Sequence, residues 1–127
     1  MDGINLHLTA STKQYLPDFI KAMRQLMDNG SKKYYLTASP DCYTLDIPAA
    51  FLYDVITKQT DSFDALYVNF ASTNCYLTNE EFGTYFAKWS NLVEGKSRPA
   101  VYLTLSTGDR NFVSPEDVQH VLVNVSV

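Results

Sequence analysis

Ile4-Asn5-Leu6-His7-Leu8-Thr9 alternates apolar and polar side chains, the period-2 pattern of a β-strand with two unlike faces. A helical stretch follows. Lys13 to Asp28 carries Tyr15, Leu16, Phe19, Ile20, Met23, Leu26 and Met27 at i, i+3, i+4 spacing. Asn29-Gly30-Ser31 reads as its C-cap. The same unit then recurs. Lys33-Tyr34-Tyr35-Leu36-Thr37-Ala38 is the next strand, closed by Ser39-Pro40-Asp41. Pro48 to Thr57, with Phe51, Leu52, Val55 and Ile56, reads as a second helix with Pro48 in its first turn. Ala65-Leu66-Tyr67-Val68-Asn69-Phe70 is a third strand. Asn79 to Glu94 is a third helix, with Phe82, Tyr85, Phe86, Trp89, Leu92 and Val93 on its apolar side and Thr78 or Asn79 as its cap. Ala100-Val101-Tyr102-Leu103-Thr104-Leu105 is a fourth strand. Ser114-Pro115-Glu116-Asp117 opens a last helix that runs to about Val123.

The strands start near positions 4, 33, 65 and 100, in steps of 29, 32 and 35 residues. Each step holds a strand, a crossover helix and two loops, so the strands are expected to be parallel with right-handed connections. Residues 1–127 therefore read as a single α/β domain of four parallel βα units. Such a chain is either a small complete sheet or half of an eight-unit barrel. The polar set Asn5, His7 and Thr9 suits a barrel strand with a polar inner face near its mouth. It suits equally an edge strand with one wet face.

Composition narrows the function classes. The chain has 127 residues, 46% hydrophobic and 19% charged, enough for a packed core. A net charge of -4 with no basic run argues against nucleic acid as a partner. No apolar run reaches the roughly 18 to 20 residues of a membrane span. The opening Met1-Asp2-Gly3-Ile4-Asn5 carries no cationic region, so no secretory signal is visible. Cys42, Cys75, His7 and His120 show no paired metal-ligand spacing, so no metal and no cofactor are expected. There is no G-x-S-x-G elbow and no phosphate-cradling glycine loop. Asp109, Glu116 and Asp117 follow the last strand, where Glu116 and Asp117 suit the positive end of a helix dipole. Tyr34, Tyr35, Tyr67 and Tyr102 offer ring faces that could stack on a sugar or fill barrel layers.

Taken in order, Asp2-Gly3-Ile4-Asn5-Leu6-His7-Leu8-Thr9, Tyr35-Leu36-Thr37-Ala38-Ser39-Pro40-Asp41-Cys42 and Phe63-Asp64-Ala65-Leu66-Tyr67-Val68-Asn69-Phe70 resemble the second half of a glycoside hydrolase family 18 chitinase, class III plant and fungal type. That family carries D-G-x-D-x-D-x-E on its fourth barrel strand, Y-L-[ST]-A-[AS]-P-Q-C on the fifth and F-D-x-x-x-x-Q-F-Y on the sixth. Val101-Tyr102-Leu103-Thr104-Leu105-Ser106 stands at the place of the seventh, and Trp89-Ser90-Asn91 resembles a segment of the sixth helix. The resemblance implies a partial TM barrel made of strands 4 to 7. It also implies a disulfide between Cys42 and Cys75 and, with it, an extracellular setting. Chitin or N-acetylglucosamine oligomers are the implied ligands, with Tyr35, Asn69 and Thr104 as implied contacts.

The departures bear on activity. Family members protonate the glycosidic oxygen with the last Glu of the first motif, and the substrate's own acetamide attacks the anomeric carbon. Here that position is Thr9, the inner Asp positions are Asn5 and His7, and the sixth-strand tyrosine position is Ala71. Of the motif carboxylates, Asp2 remains, at the strand's entry end. A threonine hydroxyl cannot deliver a proton at neutral pH, and general acid help is worth roughly 100- to 10,000-fold. His7, two residues before Thr9, sits about 6.6 Å deeper along the strand. The expected protein is thus a catalytically degenerate chitinase-like barrel portion. Two alternatives stay open: an active glycosidase with displaced groups such as His7 or Asp41, and a non-catalytic α/β domain that dimerises to cover its open edges. Strands one to three and eight of the family barrel have no counterpart in the sequence, which leaves two expectations: two such halves associate, or the chain is a remnant of a longer reading frame.

Overall fold

The computed structural model describes residues 2–7, 13–71, 75–77, 80–105 and 114–125. Four strands form one sheet in the order β1 (Gly3–Leu6), β2 (Tyr35–Ala38), β3 (Ala65–Asn69) and β4 (Ala100–Thr104). Every neighbouring pair is parallel, as the step lengths require. The helices are α1 (Leu16–Asp28), α2 (Tyr53–Lys58), α3 (Phe82–Val93) and α4 (Pro115–Val125). Pairing follows chain order, Gly3 with Tyr35, Thr37 with Ala65, and Ala65 with Ala100. β1 and β2 start level, as do β3 and β4, while β3 begins beside Thr37 within β2, an offset of the kind a barrel's shear requires.

Burial separates the two faces of the sheet. Leu6, Leu36, Ala38, Leu66 and Val68 point outward and are buried under the helices with Ile20, Ile56, Phe63, Phe82 and Trp89. The inner face carries Asn5, Thr37, Asn69 and Thr104 with three tyrosines, Tyr35, Tyr67 and Tyr102, which are 46%, 41% and 52% exposed. One covered face and one open face is the pattern of a barrel wall, not of a sheet wound on both sides. Tyr67 and Tyr102 face each other in register and stack with ring centroids 5.3 Å apart. Gly3 lies where a Cβ would collide with the carbonyl oxygen of Tyr35, so the entry end of β1 can approach β2 only because the side chain is missing.

Several boundaries differ from those expected. The second helix starts at Tyr53, not Pro48. Residues 47–52 instead run through i→i+3 turns, with Ala50 N–H on Ile47 and Tyr53 N–H on Ala50. Lys13 Nζ holds the carbonyls of Pro48 and Ala50 at 2.7 and 3.3 Å, which fixes these turns against α1. The third helix starts at Phe82; its expected caps, Thr78 and Asn79, lie outside the described residues. β1 ends at Leu6, and Leu8 and Thr9 lie outside the described residues. The last helix starts as expected, with the Ser114 hydroxyl accepting from Asp117 N–H at 3.1 Å.

The expected apolar side of α1 is in fact two stripes. Leu16, Ile20 and Met27 are buried, while Tyr15 and Leu26 are 70% and 69% exposed and Phe19 is exposed with them. At 100° per residue, Tyr15, Phe19, Ala22 and Leu26 fall within about 60° of one another. Lys13, Pro17 and Arg24, which contact the α2 side, lie on the opposite flank. The second stripe thus lies on the flank of α1 away from α2.

Candidate functional site

Side chains with chemistry gather at the C-terminal ends of the strands, where barrel sites sit. At the end of β1, Asn5 Oδ1 accepts from Thr37 Oγ1 at 2.8 Å, and Asn5 Nδ2 donates to Ser39 Oγ at 3.0 Å. His7 Nδ1 lies 3.3 Å from the Ser39 carbonyl. A carbonyl can only accept, so this bond places the ring proton on Nδ1. The result is a neutral amide and hydroxyl network on the inner face.

β2 does not simply stop at Ala38. After Pro40 the chain rejoins β3 through a parallel bridge between Asp41 and Asn69. Asn69 N–H donates to the Pro40 carbonyl at 2.9 Å, and Cys42 N–H donates to the Asn69 carbonyl at 3.1 Å. This holds the Asp41 carboxylate over the mouth. Asn69 Nδ2 donates to Asp41 Oδ1 at 3.2 Å, and Tyr43 OH donates to Oδ2 at 3.1 Å. Burial first, then the Asp41 charge and its hydrogen bond, raise the Tyr43 phenol above its ordinary pKa. Asn69 Oδ1 accepts from Ala71 N–H at 2.9 Å.

Cys42 and Cys75 form a disulfide, both sulfurs buried in the core beside Trp89. Trp89 Nε1 donates to the Cys42 carbonyl at 2.8 Å. The loop that presents Asp41 is therefore tied on one side to β3, on another to α3, and covalently to the segment after β3.

The residues singled out from sequence divide by position. Asn5, His7, Asn69, Ala71 and Thr104 stand at or beside the mouth, and Thr104 pairs in register with Asn69. Asp2 is at the opposite end, exposed and paired with Lys32 at 2.7 Å. Tyr35 also lies at the entry end, opposite Gly3, with Lys33 Nζ 5.1 Å from its ring centroid, so it does not join Asn69 and Thr104. Thr9 lies outside the described residues. Thr37, Ser39 and Tyr43 were not singled out. The Ser39-Pro40-Asp41 turn was the available signal, because a strand end in a βα unit is where a site is built. Among the described residues no cluster could hold a metal, and no helix is long and apolar enough to cross a membrane.

No family model matches the sequence. A class III chitinase of Arthroderma benhamiae is 33% identical over 101 residues, which are 74% of this chain and 29% of that protein. Chitinase 1 of Candida albicans is 28% identical over 98% of this chain and 26% of its own length. The chain thus spans less than a third of these curated relatives. Among solved structures, a xylanase and α-amylase inhibitor protein from Scadoxus multiflorus superposes with a TM-score of 0.75 at 20% identity, over 94% of this chain and 44% of its own. A chitinase from Ipomoea carnea gives 0.73 at 23% identity, over 99% and 47%. Sequence and fold agree: the chain is a chitinase-like relative of the class III chitinases of glycoside hydrolase family 18, and it presents four consecutive βα units of their barrel.

Proposed function

We propose that this chain is a catalytically degenerate, chitinase-like unit that binds N-acetylglucosamine oligomers without hydrolysing them. The observation that carries the reading is the neutral network of Asn5, Thr37 and Ser39 at the inner end of β1. Family chemistry calls for carboxylates at Asn5 and His7 and a proton-donating Glu at Thr9. An amide held by two hydroxyls neither donates a proton to a leaving alkoxide nor stabilises the positive charge that develops at the anomeric carbon. What the mouth retains is hydrogen-bonding capacity at Asn5, Asn69 and Thr104, which suits sugar hydroxyls, while the stacked Tyr67 and Tyr102 rings lie deeper on the same inner face, beside Tyr35. The relatives named chitinase support chitin-type ligands. The buried disulfide supports an extracellular setting.

Incubation with fluorogenic chito-oligosaccharides tests the reading. Release at the blank rate is expected, together with calorimetric binding of chitotriose. Turnover above blank that is lost in Thr9→Ala would overturn the inactive assignment.

Association of two copies belongs to the same reading. The outer edges of β1 and β4 pair with no strand among the described residues, and the Tyr15, Phe19 and Leu26 side chains of the first helical segment are exposed. Unpaired edges and exposed apolar surface favour self-association. Light scattering is expected to give twice the chain mass; a stable monomer would count against it.

A further inference from the structure

We infer that Asp41 makes the mouth selective for amino sugars bearing a free ammonium group, such as glucosamine oligomers, over their neutral acetylated counterparts. The inference rests on the sugar-binding reading above and adds the charge of the ligand.

The described residues include three half-buried aspartates, Asp41, Asp54 and Asp64. Asp54 is paired with Lys13 and Lys58, and Asp64 with Arg24 and Arg98. Among the described residues Asp41 has no such counter-charge. Its partners are the Asn69 amide and the Tyr43 hydroxyl, both neutral. Among the described residues at these strand ends, Asn5, Ser39 and Thr104 carry no charge, and His7 is titratable, as is Tyr43. A partly desolvated carboxylate is better satisfied by a cation than by neutral donors. The two hydrogen bonds also leave about half of its acceptor positions unused. A polyhydroxylated ligand with one ammonium group meets both needs: hydroxyls for the neutral network and a charge for Asp41. An acetamido sugar offers the hydroxyls alone.

The geometry is held from outside the ligand. The bridge to Asn69, the Cys42–Cys75 disulfide and the Trp89 hydrogen bond fix the Asp41 backbone before any ligand arrives. Preorganisation of this kind reduces the ordering cost of binding.

The test compares chitotriose with its fully deacetylated trimer by calorimetry, at mildly acidic pH and low salt, where the sugar amines carry their protons. The deacetylated trimer is expected to bind up to about fivefold more tightly, the scale of one partly screened charge pair. Added salt should shrink that advantage. Asp41→Asn, which keeps an acceptor for Asn69 and Tyr43, should abolish it. Equal or tighter binding of chitotriose by the wild type overturns the charge selectivity and leaves the sugar-binding reading standing. An advantage that survives in Asp41→Asn, with unchanged melting temperature, overturns the assignment to Asp41. Failure of both trimers to bind the wild type overturns the sugar-binding reading itself.

Discussion

Arg24→Met is expected to lower the unfolding free energy by about 3 to 5 kcal/mol, the usual cost of stripping one partner from a buried ion pair. Arg24 and Asp64 have side chains only 10% and 11% exposed, with Nη1 2.7 Å from Oδ2. Burial works against the guanidinium charge, yet Asp64 and Asp28 outweigh it and hold the Arg24 pKa above its ordinary value. The same side chain reaches the carbonyls of Ser62 and Tyr34 at 3.3 and 3.4 Å, so it joins α1 to the segments that lead into β3 and β2. Methionine keeps most of the apolar stem and removes every donor. Asp64 would retain the Leu36 N–H at 2.8 Å and the more distant Arg98 at 3.7 Å, too little for a charge at that depth. Adding Asp64→Asn to Arg24→Met should therefore restore part of the loss, since the amide still accepts from Leu36 but carries no charge. Urea titrations of both variants check this. A double variant less stable than Arg24→Met would show that the charge is not the source of the penalty.

Arg24 also illustrates what a sequence reading misses. It falls i+4 from Ile20 and i-3 from Met27, on the buried stripe of α1, yet a charged residue does not register in an apolar count. A cation at a core position was the signal, and its partner lies 40 residues away. The same count credited Tyr15, Phe19 and Leu26 to the core, although they occupy a separate flank. Periodicity reports that a helix has apolar surface and not how many neighbours that surface meets. The parallel order of the strands, by contrast, was legible because chain length alone restricts how two strands can be joined.

The site was legible to a smaller degree. Asn5 stands on the inner face of β1 and His7 directly after its end, and both lie at the mouth. Thr37 and Ser39 share that face of β2, and the alternation could have found them. The Asp41 arrangement was not available from local pattern. It depends on β2 resuming after Pro40 and pairing with Asn69, a contact 28 residues distant in the chain. The Cys42–Cys75 bridge was expected through family resemblance, since spacing alone makes such a pair no more than possible.

Trp89→Ala is expected to cost about 3 to 5 kcal/mol, the range for emptying an aromatic core site. A domain of this size commonly has about 5 to 15 kcal/mol in all, so the variant should be near the limit of folding. Two losses combine. The indole is 1% exposed and packs in the cluster that joins α3 to the outer face of the sheet. Its Nε1 is also the donor to the Cys42 carbonyl at 2.8 Å, in a buried setting. Trp89→Phe separates them, since phenylalanine refills most of the volume and leaves the carbonyl without that donor. It should cost about 1 to 3 kcal/mol, the penalty of an unsatisfied buried polar group. Chemical denaturation followed by far-UV circular dichroism measures both variants. A loss below about 1 kcal/mol in Trp89→Ala would mean that α3 is not anchored through this residue. The phenylalanine variant carries the link to function. Freed from its hydrogen bond to α3, the segment around Cys42 is held by the disulfide and by β3 alone, and Asp41 is its neighbour in sequence. Affinity for a glucosamine trimer should then fall in Trp89→Phe under conditions where the protein remains folded. Unchanged affinity would show that the bridge to Asn69 suffices to place the carboxylate.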